Sequence, residues 1–207
     1  MTGRPQFLFP LFAQIDALAG IGAKTAQLLG QMGVERPRDL ILTLPHGVVD
    51  RRPVATIKEV MAPAIVTVEV EVIAHHPARK RGAPSRVLVA DAEVEFSLVF
   101  FHARGDWLEK QLPVGARRVI SGKIESFDNT AQMVHPDHIL QPAEAADLPR
   151  FEPVYPLTAG LSQRVIAKAA KAALARAEPL AEWADGALIA REGWPDWRAA
   201  LEKAHQP

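Results

Sequence analysis

Ile65-Val66-Thr67-Val68-Glu69-Val70-Glu71-Val72-Ile73 is the stretch on which the fold turns. Valines at 66, 68, 70 and 72 alternate with Thr67, Glu69, Glu71 and Ile73. Successive side chains on a strand point to opposite faces, so this pattern predicts a half-buried strand. Downstream, Arg86 to Asp91 reads as a second strand. Val94, Phe96, Leu98 and Phe100 form one face of a third, with Glu95, Ser97, Val99 and Phe101 on the other. Asp106 to Leu112 reads as a short helix closed by Pro113, Val119 to Ile124 as a fourth strand, and Gln132 to Ile139 as a fifth. Five strands with a helix between the third and fourth is the order of an OB-fold barrel, although a small open β-sandwich gives a similar pattern. An OB-fold leaves the strand 2–3 face and two loops for nucleic acid. The loop at 76–84, between strands 1 and 2, is one of those loops.

Upstream of the strands, Leu18-Ala-Gly-Ile-Gly-Ala-Lys-Thr-Ala26 reads as a helix-hairpin-helix turn. Gly20 and Gly22 carry no Cβ and let a phosphate approach the backbone closely. The free amides of the helix that follows, its dipole and the Lys24 ammonium then face the anion. Such a turn grips a nucleic-acid backbone without reading its sequence. A ligand-free helix–helix turn is the other reading of the same residues. The P-loop pattern fails, because it needs glycine at 18 and 23, where Leu18 and Ala23 stand. Ala26, Leu28, Leu29 and Met32 continue a helical face that Gly33 stops, and Arg38 to Leu42 begins a short helix ended by Pro45.

Formal net charge is zero, from 24 basic and 24 acidic residues, which argues against indiscriminate coating of nucleic acid. A nucleic-acid site must then be a local concentration of charge. Arg79, Lys80, Arg81 and Arg86 supply one in a stretch without acids. The absence of cysteine excludes a disulfide framework or a thiolate metal site and fits a reducing cytoplasm. The apolar start Phe7 to Ala13 is interrupted by Pro10 and is too short to span a membrane.

Beyond the strands, residues 141–152 are polar and acidic, and Phe151 to Leu157 is held extended by its prolines. Ser162 reads as the N-cap of a helix over Val165 to Ala177. A last helical pattern carries Trp183, Trp194 and Trp197. The expected class is therefore α+β. A helical segment with the hairpin turn spans 1–62, a five-stranded OB-fold barrel 63–142, and a linker with a C-terminal helical segment 143–207.

In this order the chain resembles the amino-terminal region of the RecG family of bacterial branched-DNA helicases. The carriers are Leu18 to Lys24, Asp39-Leu-Ile-Leu-Thr-Leu-Pro45, Asp50-Arg51-Arg52, Leu98-Val-Phe-Phe-His102, Gly122-Lys123 and Met133-Val-His-Pro136. Pro153 to Ser162 and Ala200 to Pro207 extend the likeness. The resemblance implies a wedge domain, an OB-type barrel at the branch point of a replication fork or Holliday junction, which serves recombination and DNA repair. A following ATP-driven motor, which binds ATP and Mg2+, would split the parental strands across it. No Walker A or DE-x-H segment is present, so the chain is expected to hold no cofactor and to hydrolyse no ATP, with the motor beginning about where the sequence stops. The family is monomeric. Branched DNA is the expected partner, and a single-strand-binding protein docking on the barrel is the alternative.

Phe101 is the sharpest site residue. Strand alternation turns it away from Phe96, Leu98 and Phe100, and an exposed aromatic can stack on a base for roughly 1–3 kcal/mol. The resemblance implies an aromatic here that caps the separated pair at the fork. The other open placement packs Phe101 under a helix. Arg104 either holds the departing strand or pairs with Asp106 or Glu109. Arg51 and Arg52 either bind phosphate or fix the connector to the barrel. His135 and His138 lie three apart on a strand, point to opposite faces and make a poor zinc pair. No serine lies in a triad-like setting.

Overall fold

The structure, a computed structural model, describes residues 5–80, 82–101, 105–128 and 130–207. In chain order its regular elements begin with α1 (Phe9–Phe12), α2 (Ala23–Gly30), α3 (Pro37–Leu42) and the strands β1 (Gly47–Asp50) and β2 (Pro53–Val54). They continue with β3 (Ala64–His76), β4 (Ser85–Ala90), β5 (Glu95–Phe100), α4 (Gly105–Gln111), β6 (Arg117–Phe127), β7 (Thr130–Val134) and β8 (His138–Leu140). The chain ends through β9 (Phe151–Val154), α5 (Gln163–Leu174), α6 (Gly186–Glu192) and α7 (Trp197–His205). It is a mixed α+β protein. The chain divides into two compact units, one of Val49–Arg150 and one of the segments before and after it.

The Val49–Arg150 unit is built on a seven-stranded sheet in the order β2-β3-β4-β5-β7-β6-β8. The long β3 pairs with β6 from Ala64 to Glu71 and with β4 from Glu71 to His76, so the ladder returns to β3. An irregularity between Val72 and Ala74 marks the change of partner. Bulges of this kind add local twist, which a strand needs in order to serve two neighbours in turn. The alternating valines 66, 68, 70 and 72 are all buried, with Phe96, Leu98, Phe100, Ile120 and Met133 among their neighbours in the core. Val99, expected on the open face of β5, is buried as well.

The expected fifth strand is in fact two. His135 adopts a left-handed backbone, φ +46°, and Pro136 follows it, so β7 stops at Val134 and β8 starts at His138. Residues other than glycine adopt positive φ uncommonly, histidine more readily than most, and no sequence period announces the turn. Together with the short β2, this raises the strand count from the expected five to seven.

In the other unit the amino- and carboxy-terminal helices share one core. Leu11, Ile15, Ile21, Leu29, Leu40 and Ile41 cluster with Ile166, Ala169, Ala170, Ala173 and Leu174. The last five recur at helical spacing on one face of α5, and small alanines let the neighbouring backbones approach. Ser162 caps α5 by accepting from the Val165 amide. In α3 the Asp39 carboxylate accepts from the Arg36 amide at the N-terminus. Tyr155 is buried in the same core, its hydroxyl 2.8 Å from His205 Nδ1. His205 Nε2 lies 2.8 Å from the Ile41 carbonyl, which makes Nε2 the protonated nitrogen and Nδ1 the acceptor for tyrosine.

Candidate nucleic-acid interface

Strand register gathers Arg79, Lys80, Arg86 and Phe101 at one end of the sheet of the Val49–Arg150 unit. The β3–β4 hairpin closes over residues 77–84, with His76 opposite Arg86. Ser85, the first residue of β4, lies opposite Phe100, the last of β5. Phe101 follows at once and is 42% exposed, while Phe100 is buried. β7 runs parallel to β5, with Val134 opposite Val99, so its His135 turn reaches the same end. Basic hairpin, exposed phenylalanine and histidine turn therefore converge. Arg81 and Arg104, both named from the sequence, lie outside the described residues.

Arg79 and Lys80 are exposed in the bend that follows β3, and Gly82 turns the chain at φ +88°. Arg86 sits differently. It is half-buried on β4, with Nη1 3.5 Å from Gln132 Oε1, and the Gln132 amide donates to Glu125 Oε1 at 3.1 Å. Its guanidinium is thus aligned along the sheet face rather than free in the loop.

Phe101 packs beside His135, with ring centroids 5.8 Å apart, and its backbone N–H donates to His135 Nε2 at 3.1 Å. Phe100 meets His135 and Trp107 edge to face at 6.0 and 6.3 Å. Trp107, on α4, is about half exposed. The surface is thus a small aromatic platform beside basic side chains, suited to a partner with flat apolar faces and negative charge.

Arg51 is not part of that surface. Its side chain is only 6% exposed; Nη1 donates to Asp137 Oδ2 at 2.9 Å and lies 3.2 Å from Ser121 Oγ. It secures the connector to β6 and to the turn after β7. Arg52, by contrast, is exposed and pairs with Asp50 at 3.6 Å, and Arg150 binds the same carboxylate at 3.1 Å. The bond from Arg150, with Arg52 nearby, holds the Asp50 carboxyl below the ordinary carboxylate value.

The glycine turn belongs to the helical unit. Gly20 has φ +84°, and Gly22 is the extended N-cap of α2. Ile21 between them is buried, with its amide bonded to the Leu18 carbonyl, so the glycines straddle an apolar anchor. Lys24 is exposed in the first turn of α2. Before the turn stands only a 3-10 turn, Ile15–Ala17, where the hairpin motif expects a full helix.

Among the described residues no group of three histidine, cysteine or acidic side chains is placed to hold a metal ion. No helix among them is long and apolar enough to cross a membrane.

The model of the RecG wedge domain family matches residues 14–176. The chain belongs to the RecG wedge domain family. The ATP-dependent DNA helicase RecG of Escherichia coli O157:H7 is 28% identical over 180 residues, 84% of this chain and 25% of that protein. RecG of Acidithiobacillus ferridurans is 25% identical over 202 residues, 95% of this chain and 28% of that protein. A solved structure of RecG bound to a three-way DNA junction superposes with a TM-score of 0.76 at 19% identity, over 94% of this chain and 27% of that one. The chain thus spans about a quarter of the length of the RecG proteins it matches.

Two residues of this RecG wedge family member escape a reading of the sequence. Lys168 of α5 stands against the glycine turn, its Nζ 3.7 Å from the place a Cβ on Gly20 would take. Its only sequence signal is a basic residue on an alanine-rich helix. In sequence His135 stands within the family stretch Met133 to Pro136 and as a poor zinc candidate, and neither reading joins it to Phe101, 34 positions away.

Proposed function

We propose that this chain is the branch-reading region of a RecG-type DNA helicase. It binds replication forks and Holliday junctions by shape, base stacking and phosphate contacts, and performs no chemistry itself. The observation that carries the reading is the convergence of an exposed Phe101 with the basic hairpin at one end of the sheet. The ladder β3–β4–β5–β7–β6, returning to β3, supports its description as an OB-type barrel. Phe101 stacks on the base exposed where the strands part, and Arg79, Lys80, Arg81 and Arg86 hold the template phosphates. Arg104 guides the departing strand. Gly20, Gly22 and Lys24 form a second backbone contact of the helix-hairpin-helix type. Strand separation, recombination and DNA repair then belong to the intact cytoplasmic, monomeric helicase, whose motor binds ATP and Mg2+. The acidic tail of a single-strand-binding protein would compete for the same basic hairpin.

The test is equilibrium binding to a three-way fork and to matched linear single strands at two salt concentrations, with Phe101→Ala alongside. Fork-selective binding whose affinity falls with salt is expected from the phosphate contacts, and a further fall of about 5- to 100-fold in the variant from loss of one stacked base. Equal affinity for every DNA would place branch selectivity outside this chain.

A further inference from the structure

We infer that His135 is the positioning residue for Phe101: its imidazole stands in for a missing ladder carbonyl and fixes how the phenylalanine leaves the sheet. The inference rests on the reading of Phe101 as the stacking residue.

β5 and β7 run parallel, and the His135 amide donates to the Val99 carbonyl at 2.9 Å. In a parallel ladder the next bond would run from the Phe101 amide to the His135 carbonyl. At His135 the backbone instead turns left-handed, φ +46°, and the ladder ends. The Phe101 amide donates to His135 Nε2 at 3.1 Å in its place. Nε2 must therefore be the unprotonated nitrogen, with the proton on Nδ1. The same ring lies 5.8 Å from the Phe101 ring at a 35° tilt and meets buried Phe100 edge to face. The turn is held on its far side as well, where Asp137 accepts from buried Arg51 at 2.9 Å. One side chain thus sets both the backbone and the ring of Phe101, while leaving that ring open to a partner.

Three substitutions separate these contributions. His135→Gln keeps an acceptor near the place of Nε2 but loses the ring. His135→Phe keeps a ring and loses the acceptor. His135→Ala loses both. All three place a non-glycine residue at the same positive φ, so they share that backbone cost.

Each is compared with the parent for fork over single-strand affinity and for quenching of a 2-aminopurine placed at the fork base. Loss of one hydrogen bond predicts about a 3- to 10-fold fall in fork preference for His135→Phe and His135→Ala, with His135→Gln within about 2-fold of the parent. In the Phe101→Ala background, His135→Phe should cause no further loss, because its effect passes through Phe101. In the unbound chain the Phe101 amide should exchange with solvent faster in His135→Phe than in His135→Gln.

Parent-like fork preference in His135→Phe, beside a weakened Phe101→Ala, would overturn the positioning role alone. So would losses that add in the double variant. If Phe101→Ala binds forks as the parent does, the stacking reading falls and this inference falls with it.

Discussion

Alanine at Gly122 tests whether the packing beneath the aromatic platform is as tight as the structure makes it. Gly122 lies on β6 opposite Val66, and a Cβ there would stand 2.8 Å from Met133 Sδ, 3.2 Å from Met133 Cγ and 3.2 Å from Pro136 Cα. Met133 is fully buried in the core and has little room to retreat. Pro136 is backbone and can yield only by moving the His135 turn. Overpacking of this kind costs about 1–3 kcal/mol. Against it stands about 0.4–1 kcal/mol gained by stiffening the unfolded chain, since Gly122 is not among the positive-φ glycines. A net loss of roughly 1–2 kcal/mol follows, or a fall in Tm on the order of 5–15 °C for a unit of about a hundred residues. Chemical denaturation followed by circular dichroism reads the stability, and the fork-binding assay reads the disturbance passed on to Phe101. Met133→Val should relieve the contact, leaving the double variant more stable than the two single effects summed. A Gly122→Ala chain as stable as the parent, or a strictly additive double variant, would refute the reasoning.

Other perturbations reach different parts of the molecule. Tyr155→Phe leaves buried His205 Nδ1 without a donor and should cost about 1–3 kcal/mol in denaturation, because shifting the histidine proton would strand the Ile41 carbonyl instead. Burial pushes the Tyr155 hydroxyl up to about 12, so its contribution is complete below pH about 10 and is lost as pH rises through about 12. The parent should therefore lose more stability in that window than Tyr155→Phe, and parallel curves would contradict this. Partial burial tends to raise the Asp91 carboxyl, but bonds from the Glu93, Ile57 and Val94 amides and the Thr56 hydroxyl outweigh it and hold the pKa below the ordinary value. Its stabilisation is present above pH about 4 and lost as pH falls through the lower folded value, so acid titration should spare Asp91→Ala, which is weakened by about 1.5–3 kcal/mol at neutral pH. Lys80→Gln should lower the slope of log affinity against log salt by about 1, with little change in fork preference, and an unchanged slope would remove Lys80 from the phosphate contacts.

Much of the fold was legible because its signals are local. The alternation at 66–72 gave β3, Ser162 gave the start of α5, and Gly33 the end of the helical stretch after the glycine turn. Alternation set Phe101 against Phe96, Leu98 and Phe100, but it did the same for Val99, which is buried, so only the structure decided that Phe101 is exposed. The choice for Arg51 between phosphate and connector was open in sequence, since burial depends on Ser121 and Asp137, 70 and 86 positions away. Arg86, grouped in sequence with the loop charges, lies along the sheet face for the same kind of reason.

What the sequence determined by itself is the α+β class, the strands β3 to β6 and the side-chain types present at 79–86 and at Phe101, because period and side-chain type are properties of neighbours in the chain. Only the tertiary structure decided that β3 serves β4 and β6 in turn. It alone joined the two ends of the chain in one core and seated the His135 ring on the Phe101 amide. Each of these depends on groups distant in sequence meeting at a few ångströms. Burial and hydrogen bonding reward such meetings only once the chain has closed, and no local pattern encodes them.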